Sequence, residues 1–146
     1  MLYLADNKLW GQSLSMKVVI TEWALQSYLE LKHRRVFSEL EYKETLRPDA
    51  ELLRTYPEGE KFKNNKFWSP ASNDHEVLNG GYKMKWHNVG DGKVQLRLLV
   101  AITESTAFLC EAYVKHDEKV DRRFMAKMKM RLREIAKGSY VTRGEI

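Results

Sequence analysis

The chain has 146 residues, 43% of them hydrophobic and 11% aromatic, which is material for one core and too little length for two full domains. A single cysteine, Cys110, excludes an intramolecular disulfide, and no stretch approaches the ~20 apolar residues that span a bilayer. The net charge of +5 is unevenly placed: residues 1–114 hold 15 basic and 15 acidic side chains, residues 115–146 hold ten and five, so the excess lies at the C-terminal end and suits an anionic partner.

Residues 1–15 show no clean period and are expected to be an N-terminal extension whose Leu2, Leu4, Leu9 and Trp10 pack on the domain; residues 16–146 are expected to form that single domain. Val18, Val19 and Ile20 are consecutive and β-branched, as in a buried strand, and Thr21 can cap a helix that begins at Glu22. Near-helical spacing of apolar residues from Trp23 to Leu40, with Pro48 beyond it, predicts two helices or one broken helix over 22–55. The stretch 56–75 reads as a loop with aromatic anchors at Phe62, Phe67 and Trp68. Tyr82 to His87 alternates, with Lys83 and Lys85 on one face and Tyr82, Met84 and Trp86 on the other. Asp91-Gly92 signals a hairpin, and Val94–Ile102 and Ala107–Val114 follow as strands. Val120, Phe124, Met128, Leu132 and Ile135 then trace the apolar stripe of a helix ending at Gly138, its other faces crowded with Lys and Arg. The predicted fold class is α+β: an N-terminal strand and helical pair, then a three-stranded antiparallel meander and a basic C-terminal helix.

Nucleotide-binding glycine motifs are missing from the sequence, and His33, His75, His87 and His116 lack zinc-ligand spacing, so no cofactor is expected. Cys110 sits in an apolar run and reads as a buried small hydrophobe. What remains is a set of cations on the predicted sheet: Lys83, Lys85, Arg97, Lys115, His87 and His116. Cleavage of RNA without a metal needs a base for the 2′-hydroxyl, cations for the charge that builds on phosphorus, and an acid for the departing 5′-oxygen, and Lys, Arg and His supply all three. The plain alternative for Lys83 and Lys85 is a solvated strand face. For Arg97, flanked by Leu96, Leu98, Leu99 and Val100, the alternative is a structural salt bridge with a carboxylate such as Glu111. Arg122, Arg123 and Lys127 are either nucleic-acid contacts or an ordinary solvated helix face.

The segments Gly81-Tyr82-Lys83-Met84-Lys85-Trp86, Gln95-Leu96-Arg97-Leu98-Leu99-Val100 and Phe108 to His116, followed by a basic helix, resemble the RelE/ParE superfamily of bacterial toxins, nearest its RelE and HigB branches. The resemblance covers roughly residues 16–137. It implies the toxin of a toxin–antitoxin pair, held by a cognate antitoxin protein and cleaving mRNA on the ribosome in the cytoplasm. Lys83 and Lys85 match a basic pair on the family's second strand, Arg97 the arginine of a later strand motif, and Lys115 and His116 a basic pair after the last strand. In that reading Lys83, Lys85, Arg97 and His116 are catalytic, while Lys115, His87, Arg122, Arg123 and Lys127 contact nucleic acid. The sequence departs from the family in having no tyrosine between Lys115 and Gly138, where many RelE-like nucleases place one for proton transfer, and in its long aromatic loop. A non-catalytic, ParE-like inhibitor or binding module using the basic helix is the alternative.

Overall fold

Thr21 marks the point where the first strand becomes the first helix. In the computed structural model, which describes residues 15–146, strand β1 (Lys17–Thr21) buries Val18 against one face of a sheet and Val19 against the other. The Thr21 hydroxyl accepts from the Ala24 N–H at 3.2 Å, capping helix α1 (Glu22–His33), and donates to the Leu109 carbonyl at 2.7 Å. The expected packing of Leu2, Leu4, Leu9 and Trp10 lies outside the described residues. A capping box between Ser38 and Glu41 then opens α2 (Glu39–Glu41), which widens into a π-helical turn (Tyr42–Leu46) and narrows again into α3 (Arg47–Glu51), with Pro48 in its first turn.

After two short 3₁₀ turns come β2 (Trp68–Asn73), β3 (Glu76–Val89), β4 (Val94–Ile102), β5 (Thr106–Val114), helix α4 (Glu118–Ala136) and β6 (Thr142–Glu145). Together they form a six-stranded mixed sheet of order β2-β3-β4-β5-β1-β6, with β1 parallel to β5 and the other pairings antiparallel. This corrects the expected architecture of one strand, a helical pair and a three-stranded meander. Strand β2 was hidden because Trp68-Ser69-Pro70-Ala71-Ser72-Asn73 has the composition of a turn; an edge position tolerates Pro70, which has no N–H to give. Strand β3 starts at Glu76, well before the alternation that begins at Tyr82. Strand β6 is four exposed residues held by pairing with β1, a relation that no local pattern encodes.

Two apolar layers flank the sheet. On one face, Leu31, Phe37, Leu46 and Leu53 from the helical segment meet Met84, Trp86, Leu96 and Leu98. The aromatic residues of 56–75 belong to this layer, for Trp68 stacks on Tyr82 at 4.9 Å, and Tyr56 and Phe62 close around them. On the other face α4 lays Met125, Met128 and Ile135 over Leu99, Ala101 and Cys110, with Val120, Phe124 and Leu132 half-buried at the margin and Met130 outside. The turn between β3 and β4 is pinned to the helical face: Gly90 has a φ of +69°, donates to a Glu41 carboxylate oxygen at 2.9 Å, and leaves only 2.1 Å between a would-be Cβ and the Val36 carbonyl oxygen. Among the described residues no helix is long and apolar enough to cross a membrane.

Candidate functional site

Side chains two apart on a strand share a face, so Lys83, Lys85 and His87 of β3 stand with Gln95 and Arg97 of β4 and with Tyr113 of β5 on the side covered by α4. The register aligns them in rows. Lys85 lies directly across from Arg97, and Arg97 directly across from Tyr113. In the next row His87 contacts the Gln95 side chain, and the Lys115 N–H donates to the Gln95 carbonyl at 2.8 Å. Helix α4 enters through Asp121, whose carboxylate accepts from the Tyr113 hydroxyl at 2.6 Å and lies 3.8 Å from the Lys83 ammonium. Lys115 pairs with Glu118 at 3.2 Å. Four cations thus face two carboxylates.

Arg97 is the unusual member. Only 7% of it is exposed, yet among the described residues its one side-chain hydrogen bond is to the carbonyl of its own neighbour Leu96, and no carboxylate lies within salt-bridge distance. Glu111, the carboxylate expected as its partner, is taken instead by Arg131 of α4, which donates to it through Nε and Nη2 at 2.9–3.3 Å. Burial lowers the proton affinity of the Arg97 guanidinium, with Tyr113 and Asp121 acting against it. Lys85 is lowered by burial first, then by Lys83, Arg97 and Lys115 around it. Tyr113 is 3% exposed, and burial together with its bond to Asp121 pushes its hydroxyl upward, so it is a fixed neutral donor rather than a base. An anion arriving here would supply the counter-charge that the fold withholds from Arg97 and Lys85.

The other residues singled out from the sequence are dispersed. His87 adjoins the cluster, but both ring nitrogens are engaged, Nδ1 with Gln95 Oε1 at 2.6 Å and Nε2 with the Lys66 carbonyl at 2.7 Å. His116 lines a separate groove of about 760 Å³ between α1 and α4, together with Arg123 and Lys127, and the lysines and arginine of the sheet do not reach it. Arg123 and Lys127 flank the Phe124 ring, which stacks on Tyr113 at 4.1 Å; Arg122 is exposed. Cys110 is buried, which pushes its thiol upward and leaves it inert.

Sequence reasoning missed Tyr113 and Asp121. Tyr113 carried a signal, since it lies two residues from Lys115 and shares its face; Asp121 carried none, because it stands beside the apolar stripe of α4 and reads as solvent-facing. Among the described residues no group of three or more His, Cys, Asp or Glu is placed to hold a metal ion. Comparison with protein-family models, with curated proteins and with solved structures gave no match for this chain.

Proposed function

We propose that the Lys83–Lys85–Arg97–Lys115 surface binds the phosphodiester backbone of RNA, and that the protein is a RelE-like mRNA endonuclease acting on the ribosome in the cytoplasm and restrained by an antitoxin protein. The observation that carries this reading is the buried Arg97 guanidinium, flanked by Lys85 and Tyr113 and, among the described residues, without a carboxylate within salt-bridge distance. The cluster is spread over three strands, and its four cations line neither the cavity beneath α1–α3 nor the groove between α1 and α4. Such a surface suits a polyanion laid across it better than a small metabolite, which needs a concave pocket.

In this scheme Arg97 and Lys83 hold the non-bridging oxygens as charge builds on phosphorus, and Lys115 holds the next phosphate. Lys85, whose proton is loosened by burial and then by its cationic neighbours, is the side chain that exchanges a proton with the reacting oxygens in this scheme. Tyr113, locked to Asp121, fixes the floor on which Arg97 rests. Induced expression of wild type beside Arg97→Ala, with mapping of mRNA 5′ ends, tests the reading: growth arrest with cuts in translated messages is expected from wild type alone.

A second reading is supported by α4, where Arg122, Arg123 and Lys127 have no carboxylate partner among the described residues. There the basic helix is the contact surface of a non-catalytic inhibitor or binding module. Reversing those three charges would abolish its effect on growth, and Arg97→Ala would leave that effect intact.

A further inference from the structure

On the sheet face opposite the cations lies a cavity of about 190 Å³, larger than the roughly 150 Å³ apolar cavity that is known to hold benzene in an engineered protein. Leu98 and Leu109 make its floor, Ala24 and Tyr28 of α1 one wall, and Tyr42 and Arg47 the other. The space opens to solvent beside Arg47, so it is an apolar recess with an entrance and not a sealed packing defect.

Its shape depends on the π-helical turn. In an α-helix, residues five apart lie about 140° apart around the axis. Here the Arg47 N–H donates to the Tyr42 carbonyl, and this i→i+5 bond brings the two side chains onto one face, both toward the cavity. Wide turns of this kind are uncommon and recur at functional sites. The turn completes an aromatic wall, since Tyr28, Phe37 and Tyr42 stand with ring centroids 5.0–6.0 Å apart, all three lining the space.

Charge at the mouth gives the ligand its second attribute. Arg47 is exposed and pairs with Glu51 at 3.2 Å, but Glu51 also faces Arg54 at 3.9 Å, so two guanidinium groups share one carboxylate. The trio therefore carries a net positive charge, and Arg47 is its member that reaches the Tyr42 side chain at the cavity. We propose that this cavity is a binding site for a small aromatic carboxylate, its ring among Tyr28, Phe37 and Leu98 and its carboxylate on Arg47.

The test uses the full chain and two probes, toluene and phenylacetate, followed by NMR titration of the methyl signals of Leu98 and Leu109 and by calorimetry. Saturable shifts are expected with both, phenylacetate binding about tenfold tighter, as one charge-assisted hydrogen bond supplies. Arg47→Met should remove that preference, toluene and phenylacetate then binding with similar affinity. Ala24→Leu, which grows a side chain into the space, should abolish both while the amide spectrum stays folded. Absence of saturable binding of either probe to wild type would overturn the site, and so would an undiminished preference for phenylacetate in Arg47→Met. Should Ala24→Leu fail to fold, the Arg47→Met comparison alone decides the assignment.

Discussion

The two faces of the sheet are built from the same strands and do opposite things with them. Toward α1–α3, every second residue of β3 and β4 is Met84, Trp86, Leu96, Leu98 or Val100, and the layer is closed by aromatic packing. Toward α4, the alternate residues begin as Leu99 and Ala101, then give way to Arg97, Lys85 and Lys83. Helix α4 covers the apolar end and answers the charged end with a single buried carboxylate, Asp121. One face is thus spent on stability. The other leaves unbalanced positive charge in partly desolvated surroundings, an arrangement that costs folding free energy and is kept where a ligand repays it.

Neighbouring residues in β4 allow this contrast to be broken most directly. Leu98→Ala on the helical face should lower stability by about 3 kcal/mol, because the site already borders a cavity and cannot collapse fully. Arg97→Met, one residue away on the other face, should leave stability unchanged or raise it by about 1 kcal/mol while removing the RNA binding proposed for this surface. Urea unfolding of both variants decides; a loss of several kcal/mol in Arg97→Met would mean that the guanidinium is structural. A smaller effect is expected at the seam between the faces. Tyr113→Phe strips the buried Asp121 of its donor and should cost about 1–2 kcal/mol in the same assay, accompanied by weaker RNA binding.

The smallest effect is a pH dependence of stability. Folding lowers the proton affinity of Lys85, so between its folded value and the ordinary lysine value of 10.5 the unfolded chain binds more protons than the folded one. Stability carried by this group therefore rises with pH across that interval and is at its lowest below it, where the ammonium is fully charged in both states. Lys85→Met should flatten the rise. RNA affinity should move the other way and fall as Lys85 loses its proton; a stability profile identical in wild type and variant would remove Lys85 from the charged cluster.

Much of this contrast was legible in the sequence, for a physical reason. Alternation in Tyr82–His87 is a local pattern set by burial on two faces and placed Lys83 and Lys85 on one side, and the apolar run Val94–Val100 singled out Arg97, which the strand register then sets opposite Lys85. The Thr21 cap and the Gly138 stop of α4 are equally local. What escaped was relational. Glu111 has the composition of a partner for Arg97 and becomes one for Arg131 only because α4 crosses above it. The strand Trp68–Asn73 is made by its neighbour β3, against its own propensity, and β6 by β1. His116 sits one residue from Lys115 in the chain yet belongs to another groove, because both lie past the end of β5 at Val114, where strand alternation no longer sets their direction.

The bond from Thr21 to Leu109 spans 88 residues, and the parallel pairing of β1 with β5 closes a loop of similar length. By contrast, β3, β4 and β5 are joined by short turns, and these strands hold Lys83, Lys85 and Arg97. Loop-closure entropy favours the short-range hairpins early and makes the long-range strand a late arrival. The cationic surface is therefore assembled by the fast-zipping part of the chain, before the N-terminal strand seals the sheet. Pulsed amide exchange during refolding should find protection in β3–β5 ahead of β1, so that the strands carrying the cations are paired before the sheet is complete.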